Sequence, residues 1–105
     1  MLEEDLNPKE KLYLERRRNK ATLRRWAERY GVPLETYLRW ERGEIEGPNP
    51  KIFGLEPREQ YMILRRRAGL TYKQMAEKLG ISTRELQRTE SGYRSLHRLI
   101  YYWRS

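Results

Sequence analysis

Leu70-Thr71-Tyr72-Lys73-Gln74-Met75-Ala76-Glu77-Lys78-Leu79-Gly80-Ile81-Ser82-Thr83-Arg84-Glu85-Leu86 is the stretch that decides the fold. Tyr72, Met75, Ala76 and Leu79 recur at spacings of three, four and seven, which draws one apolar stripe along a helix. Thr71 is placed to cap that helix by accepting an otherwise free backbone N–H. Gly80 is placed to end it, where a left-handed residue permits a sharp turn. Ser82 then starts a further helix. Its buried face is Leu86 with the less apolar Thr89, and Gly92 closes it. Ala76 suits the point where two short helices cross closely and a large side chain would force them apart.

Moving outward, Pro57 suits the first turn of a preceding helix, which runs to about Arg67 and offers Tyr61, Ile63 and Leu64 to the core. Sliding the chain by 49 residues then superimposes it on itself without a gap over about 38 positions. Pro8 falls on Pro57, Arg16-Arg17-Arg18 on Arg65-Arg66-Arg67, Thr22 on Thr71 and Ala27 on Ala76. Gly31 falls on Gly80, Arg39 on Arg88, Glu41 on Glu90 and Gly43 on Gly92. The first copy therefore has the same grammar. Leu12 and Leu14 lie on its first helix. Leu23, Trp26, Ala27 and Tyr30 form the stripe of its second. A third helix starts at Pro33 and buries Tyr37 with Trp40. Helix, short turn with Gly, and helix make a helix-turn-helix unit, with the preceding helix as a third wall. Leu96, Leu99, Ile100 and Trp103 add a C-terminal helix that closes on the second copy or meets another chain. The expected architecture is all-α: two tandem helix-turn-helix three-helix units plus a C-terminal helix. The division expected is residues 1–43, a linker at 44–55 and residues 56–105.

Composition narrows the function. Charged residues are 36% of the 105, and the net charge is +8, which points to a polyanionic partner. Residues 50–105 carry twelve basic and five acidic side chains, whereas residues 1–49 carry eleven and ten. No apolar run approaches the roughly 18 residues of a membrane span. The acidic start, Met1-Leu2-Glu3-Glu4-Asp5, does not read as a secretory signal. With no Cys, one His (His97) and one Asp (Asp5), thiolate zinc sites and most His-based catalytic arrangements fail on supply. There is no nucleophile elbow and no phosphate-cradling Gly loop. The chain reads as a non-enzyme without a cofactor, working in the cytoplasm in association with the nucleoid.

Leu64 to Gly92 resembles the lambda-repressor/Cro-like helix-turn-helix family. The resemblance lies in Leu64-Arg65, in Gly69-Leu70-Thr71, in Ala76 and Gly80 at their spacing, and in the Glu90-Ser91-Gly92 close. The first copy matches more loosely, with Glu15 in the place of Leu64 and Lys20-Ala21-Thr22 leading in. The resemblance implies that the third helix of a unit enters the major groove while the start of its second helix touches phosphate. Carried over by position, Thr83, Arg84 and Arg88 face bases, flanked by Glu85 and Gln87. Arg suits the two acceptors of guanine. Tyr72, Lys73 and Ser82 then lie toward the backbone, as does Arg24. The first copy offers Leu34, Thr36 and Arg39 to bases, with Glu35 adverse to phosphate unless it accepts from cytosine.

The function expected is sequence-specific binding of double-stranded DNA by a small prokaryotic or phage transcription regulator such as a repressor. Two units in one chain would imitate the half-site readers of a dimer. Successive major-groove faces lie about 34 Å apart, and twelve linker residues can stretch to about 40 Å. The competing reading is a phage accessory protein for packaging or recombination, or a factor that uses the same helices to bind RNA polymerase. A homodimer through the C-terminal stripe is a further expected partner state.

Overall fold

A computed structural model describes residues 5–92 and 95–104. Among them are seven helices and no strand. They are α1 (Pro8–Arg18), α2 (Leu23–Tyr30), α3 (Leu34–Arg42), α4 (Pro57–Arg67), α5 (Tyr72–Leu79), α6 (Thr83–Glu90) and α7 (His97–Arg104). None is long and apolar enough to cross a membrane. The chain divides into two compact units, Met1–Leu55 and Glu56–Ser105.

In the first unit, α1 begins at Asn7, whose side chain accepts from the Glu10 amide at 3.0 Å while the Glu10 carboxylate accepts from the Asn7 amide at 3.2 Å. Pro8 occupies the first helical position, where its missing N–H costs nothing. Thr22 caps α2 through Oγ1, which accepts from the Arg25 amide at 3.1 Å. Gly31 (φ 69°) ends α2 in the left-handed region, and the Val32 amide reaches back to the Ala27 carbonyl at 3.1 Å. Pro33 stands just before α3 and offers no side-chain cap. Leu12, Trp26, Ala27 and Tyr37 form the buried core, with Tyr30, Leu34 and Trp40 packed against it.

The segment after α3 also belongs to this unit. A Cβ on Gly47 would stand 2.6 Å from Cγ of Trp40, so only glycine lets the segment lie on the indole. The Arg18 guanidinium donates to the Phe53 and Gly54 carbonyls at 2.8 and 3.1 Å.

The second unit is built in the same way. Glu56 and Glu59 cap α4, Pro57 is its first residue, and Thr71 with Gln74 forms a reciprocal cap on α5. Gly80 (φ 70°) ends α5, with the Ile81 amide on the Ala76 carbonyl at 3.0 Å. Met75, Ala76, Leu86 and Leu99 make the core, and Leu96 and Trp103 of the C-terminal stripe pack against it. That stripe closes the unit, although Ile100 stays partly exposed at 36%. The buried apolar residues of α4 are Met62 and the expected Ile63, whereas Tyr61 and Leu64 are only half-buried, so the apolar face is turned toward Met62 from the sequence expectation. Thr89 is buried with its hydroxyl satisfied by the Glu85 carbonyl at 2.9 Å.

In each unit one largely buried arginine acts as a clamp on the first helix, the third helix and the turn before the second. In the first, Arg16 donates through Nε and Nη2 to both Glu41 oxygens (2.7 and 3.2 Å) and through Nη1 to the Ala21 carbonyl (3.2 Å). In the second, Arg65 donates likewise to both Glu90 oxygens (2.8 and 3.3 Å) and to the Leu70 carbonyl (3.0 Å). The Arg65 guanidinium also lies 4.1 Å from the Tyr72 ring centroid. Burial opposes charge on Arg16, but the Glu41 carboxylate more than compensates and its pKa is raised. Burial, then the same carboxylate, also pushes the Tyr37 hydroxyl pKa up.

Two stability tests follow from these contacts. Glu90→Ala leaves the Arg65 cation buried at 8% exposure without its carboxylate and should cost about 3–5 kcal/mol in urea unfolding. Replacing both partners, Arg65→Met with Glu90→Leu, should cost much less. A double replacement that costs as much as the two single replacements added together would mean that the charges do not interact. Lys20 holds φ 51°, where its Cβ is penalised by about 1–2 kcal/mol. Lys20→Gly should therefore raise stability by about 0.5–1 kcal/mol after glycine's extra chain entropy is subtracted, readable as a higher urea midpoint.

Candidate nucleic-acid interface

The second unit presents α6 with two unlike sides. Leu86, Thr89 and Glu90 are buried. Thr83, Arg84, Gln87 and Arg88 are exposed, and at 100° per residue they share one sector of the helix. Nothing among the described residues pairs with Arg84 or Arg88, so two guanidinium forks stand free on that side. Each fork has planar donors that match two adjacent acceptors on a base edge.

Around this strip, Lys73 at the start of α5 is exposed and also unpaired. Tyr72, beside it, is half-buried with its ring under Arg65, so the clamp positions it. Ser82 is exposed but its oxygen is already in use. It accepts from the Glu85 amide at 3.1 Å, and its hydroxyl lies 3.3 Å from the Glu85 carboxylate. Its primary work is to start α6 at the correct residue.

The first unit presents different chemistry. Leu34 packs against the core and Thr36 is half-buried. Arg39 is exposed, but its Nη2 is 3.2 Å from Glu35 Oε1 one turn earlier, which cancels charge on the outer side of α3. Arg24 at the start of α2 is exposed and unpaired. Thr83, Arg84 and Arg88 thus come together on one side of α6, and Lys73 lies one short helix before them. Leu34, Thr36 and Arg39 do not form a comparable exposed strip.

Glu15 is a residue whose role sequence reading missed. Its Oε1 accepts from Trp26 Nε1 at 2.9 Å and from the Tyr30 hydroxyl at 2.6 Å. Burial, then this carboxylate, raises the Tyr30 pKa. Shifted by 49 residues, the three positions are Leu64, Met75 and Leu79. The available signal was that the donors Trp26 and Tyr30 appear together where the carboxylate does. Sequence reading also missed the Arg16–Glu41 and Arg65–Glu90 pairs. Their equal 25-residue spacing was the signal there.

A family model described as helix-turn-helix matches residues 62–99, covering most of α4, all of α5 and α6, and the start of α7. No curated protein and no solved structure matches the chain.

Ser82→Ala separates the cap from any contact with a partner. It should lower unfolding stability by about 1 kcal/mol with no DNA present. An unchanged urea midpoint would show that Ser82 is not needed to start α6.

Proposed function

We propose that this chain binds double-stranded DNA sequence-selectively as a small transcription regulator of prokaryotic or phage type, with α6 in the major groove. The observation that carries the reading is the free Arg84 and Arg88 pair on the exposed side of α6, inside the segment that matches the helix-turn-helix family. Arg84 and Arg88 read guanine, and Thr83 and Gln87 border them. Lys73 and Arg24 neutralise phosphates, which supplies register and salt-dependent affinity. Tyr72 and Ser82 contribute at the backbone through positions set by the clamp and the cap.

In this reading the two units are tandem copies, divided at residues 44–55, and the second is the main reader. The corresponding clamps and glycine turns support the copies. The Glu35–Arg39 pair supports the unequal roles, because it occupies the guanidinium that stands where Arg88 stands. The protein acts in the cytoplasm, on the nucleoid. A second reading, a phage accessory or a polymerase-binding factor, is favoured by Phe53 and Tyr101, each 75% exposed as a protein interface would use them.

Selection of bound sequences from a random duplex pool, followed by competition binding, tests both. A regulator enriches a motif, whereas the second reading enriches none. On the enriched duplex, Arg84→Ala or Arg88→Ala should each cost about 1–3 kcal/mol and relax preference at one base pair. Arg39→Ala should cost less than either. Lys73→Ala should weaken selected and random duplexes alike and reduce the salt slope by about one. Equal losses on both duplexes for the two Arg variants would remove them from base reading.

A further inference from the structure

A groove of about 750 Å³ runs between the end of α5 and α7, wholly within the second unit, and none of its lining residues belongs to α6. Its apolar part includes Leu79 and Tyr101, which is 75% exposed. Ile100, the neighbour of Tyr101 in the chain, adds an exposed aliphatic group on α7. Its basic part is Lys78, His97 and Arg98, and no carboxylate stands among the described lining residues. The Arg98 guanidinium is held in place, because Nη1 donates to the Leu79 carbonyl at 3.2 Å. Lys78 is exposed, and nothing among the described residues pairs with it.

Exposed apolar groups rimmed by polar ones mark a surface for a partner. The charges decide which partner. A second copy of this chain would bring the same cations to the contact, and like charges oppose it. Single-stranded nucleic acid needs a row of aromatic platforms for successive bases. Here Tyr102 and Trp103 pack edge to face, with ring centroids 5.1 Å apart, and both pack on the core. That leaves Tyr101 as the one widely exposed ring of the groove. Leu79 and Ile100 offer aliphatic contact, which suits protein side chains and not base stacking. We propose that this groove receives an acidic amphipathic segment of a partner protein. Leu or Phe side chains of that segment pack on Leu79 and Tyr101, and its Asp or Glu carboxylates face Lys78 and Arg98. The contact needs nothing from α6, so it holds whether or not this chain binds DNA.

The test uses the full chain. Random peptides are passed over Tyr101→Ala, which removes those that bind the basic surface elsewhere, and are then selected on the unaltered chain. Circular dichroism checks that the variant is folded. If it is not, Lys78→Glu takes its place as the subtracting target. The surviving peptides should carry Asp or Glu beside Leu or Phe at helical spacing. The strongest survivor, followed by fluorescence anisotropy, should bind Lys78→Glu about fivefold more weakly than the unaltered chain. Added salt should weaken it in the same direction. Arg84→Ala should bind it as the unaltered chain does, whatever the duplex measurements give. Survivors without an acidic bias, or no survivors, would overturn the proposal. An oligothymidylate that displaces the peptide and loses affinity in Tyr101→Ala would overturn it too, and would assign the groove to single-stranded nucleic acid. A dimer in sedimentation that Tyr101→Ala dissolves would overturn it in favour of a second copy.

Discussion

The Arg65–Glu90 contact is the constraint on which the second unit depends. Its helices α5 and α6 have eight residues each, too short to hold together by local hydrogen bonding. A unit of this size also buries little apolar surface, so packing alone leaves a narrow margin. The guanidinium answers this by reaching three elements at once. It holds the end of α6 through Glu90, the turn before α5 through the Leu70 carbonyl, and the first ring of α5 through Tyr72. A buried charge is tolerated only when its donors are spent, and here Nε, Nη1 and Nη2 each have an acceptor. Such a pair need not add much net stability. Its geometry is selective, however, because two parallel hydrogen bonds permit few rotations of α6 about its axis. That rotation decides whether Arg84 and Arg88 face outward.

The first unit solves the same problem with different side chains, and the differences are coupled. Where the second unit has Leu64, Met75 and Leu79 at the corresponding positions, the first places Glu15 with Trp26 and Tyr30. Glu15 exchanged alone would strand both donors, and Trp26 and Tyr30 exchanged without it would leave the carboxylate against Met and Leu with no donor. Exchanged together, they balance. Edge contacts of Tyr30 with Trp26 and Trp40 then extend the aromatic cluster to α3. Trp40 in turn covers Gly47 and draws the following segment onto the unit. The residues that weaken the sequence match of the first unit are thus the ones that give it an aromatic core.

Much of this was legible because it rests on local chemistry. Thr22, Thr71, Gly31 and Gly80 act within one helical turn, so their neighbours determine their roles, and the helix boundaries followed. The helical face of α4 was misjudged for a different reason. Tyr61, Met62, Ile63 and Leu64 are all apolar, and periodicity cannot choose among four consecutive candidates. The Arg triplets posed the same difficulty. Spacing does not separate them, since Arg16 and Arg17, like Arg65 and Arg66, all lie three or four residues beyond buried positions. The exposed strip on α6 could be read from Leu86 alone. The occupation of Arg39 by Glu35 could be read from their four-residue spacing. The use of the Ser82 oxygen is a matter of angles and distances that no sequence pattern carries.

These threads meet in a contrast between the units. A basic surface attracts any polyanion, so the net charge by itself selects nothing. Selection requires cations that are unpaired and held in place, because a mobile or neutralised guanidinium cannot discriminate base edges. In the first unit the arginines on α1 and α3 are largely committed: Arg16 to Glu41, Arg18 to the Phe53 and Gly54 carbonyls, and Arg39 to Glu35. In the second, Arg65 is committed to the interior, and Arg84 and Arg88 remain free on a helix whose rotation that same commitment fixes. One buried arginine is therefore the condition for two exposed ones to be held in a fixed orientation on the surface of α6.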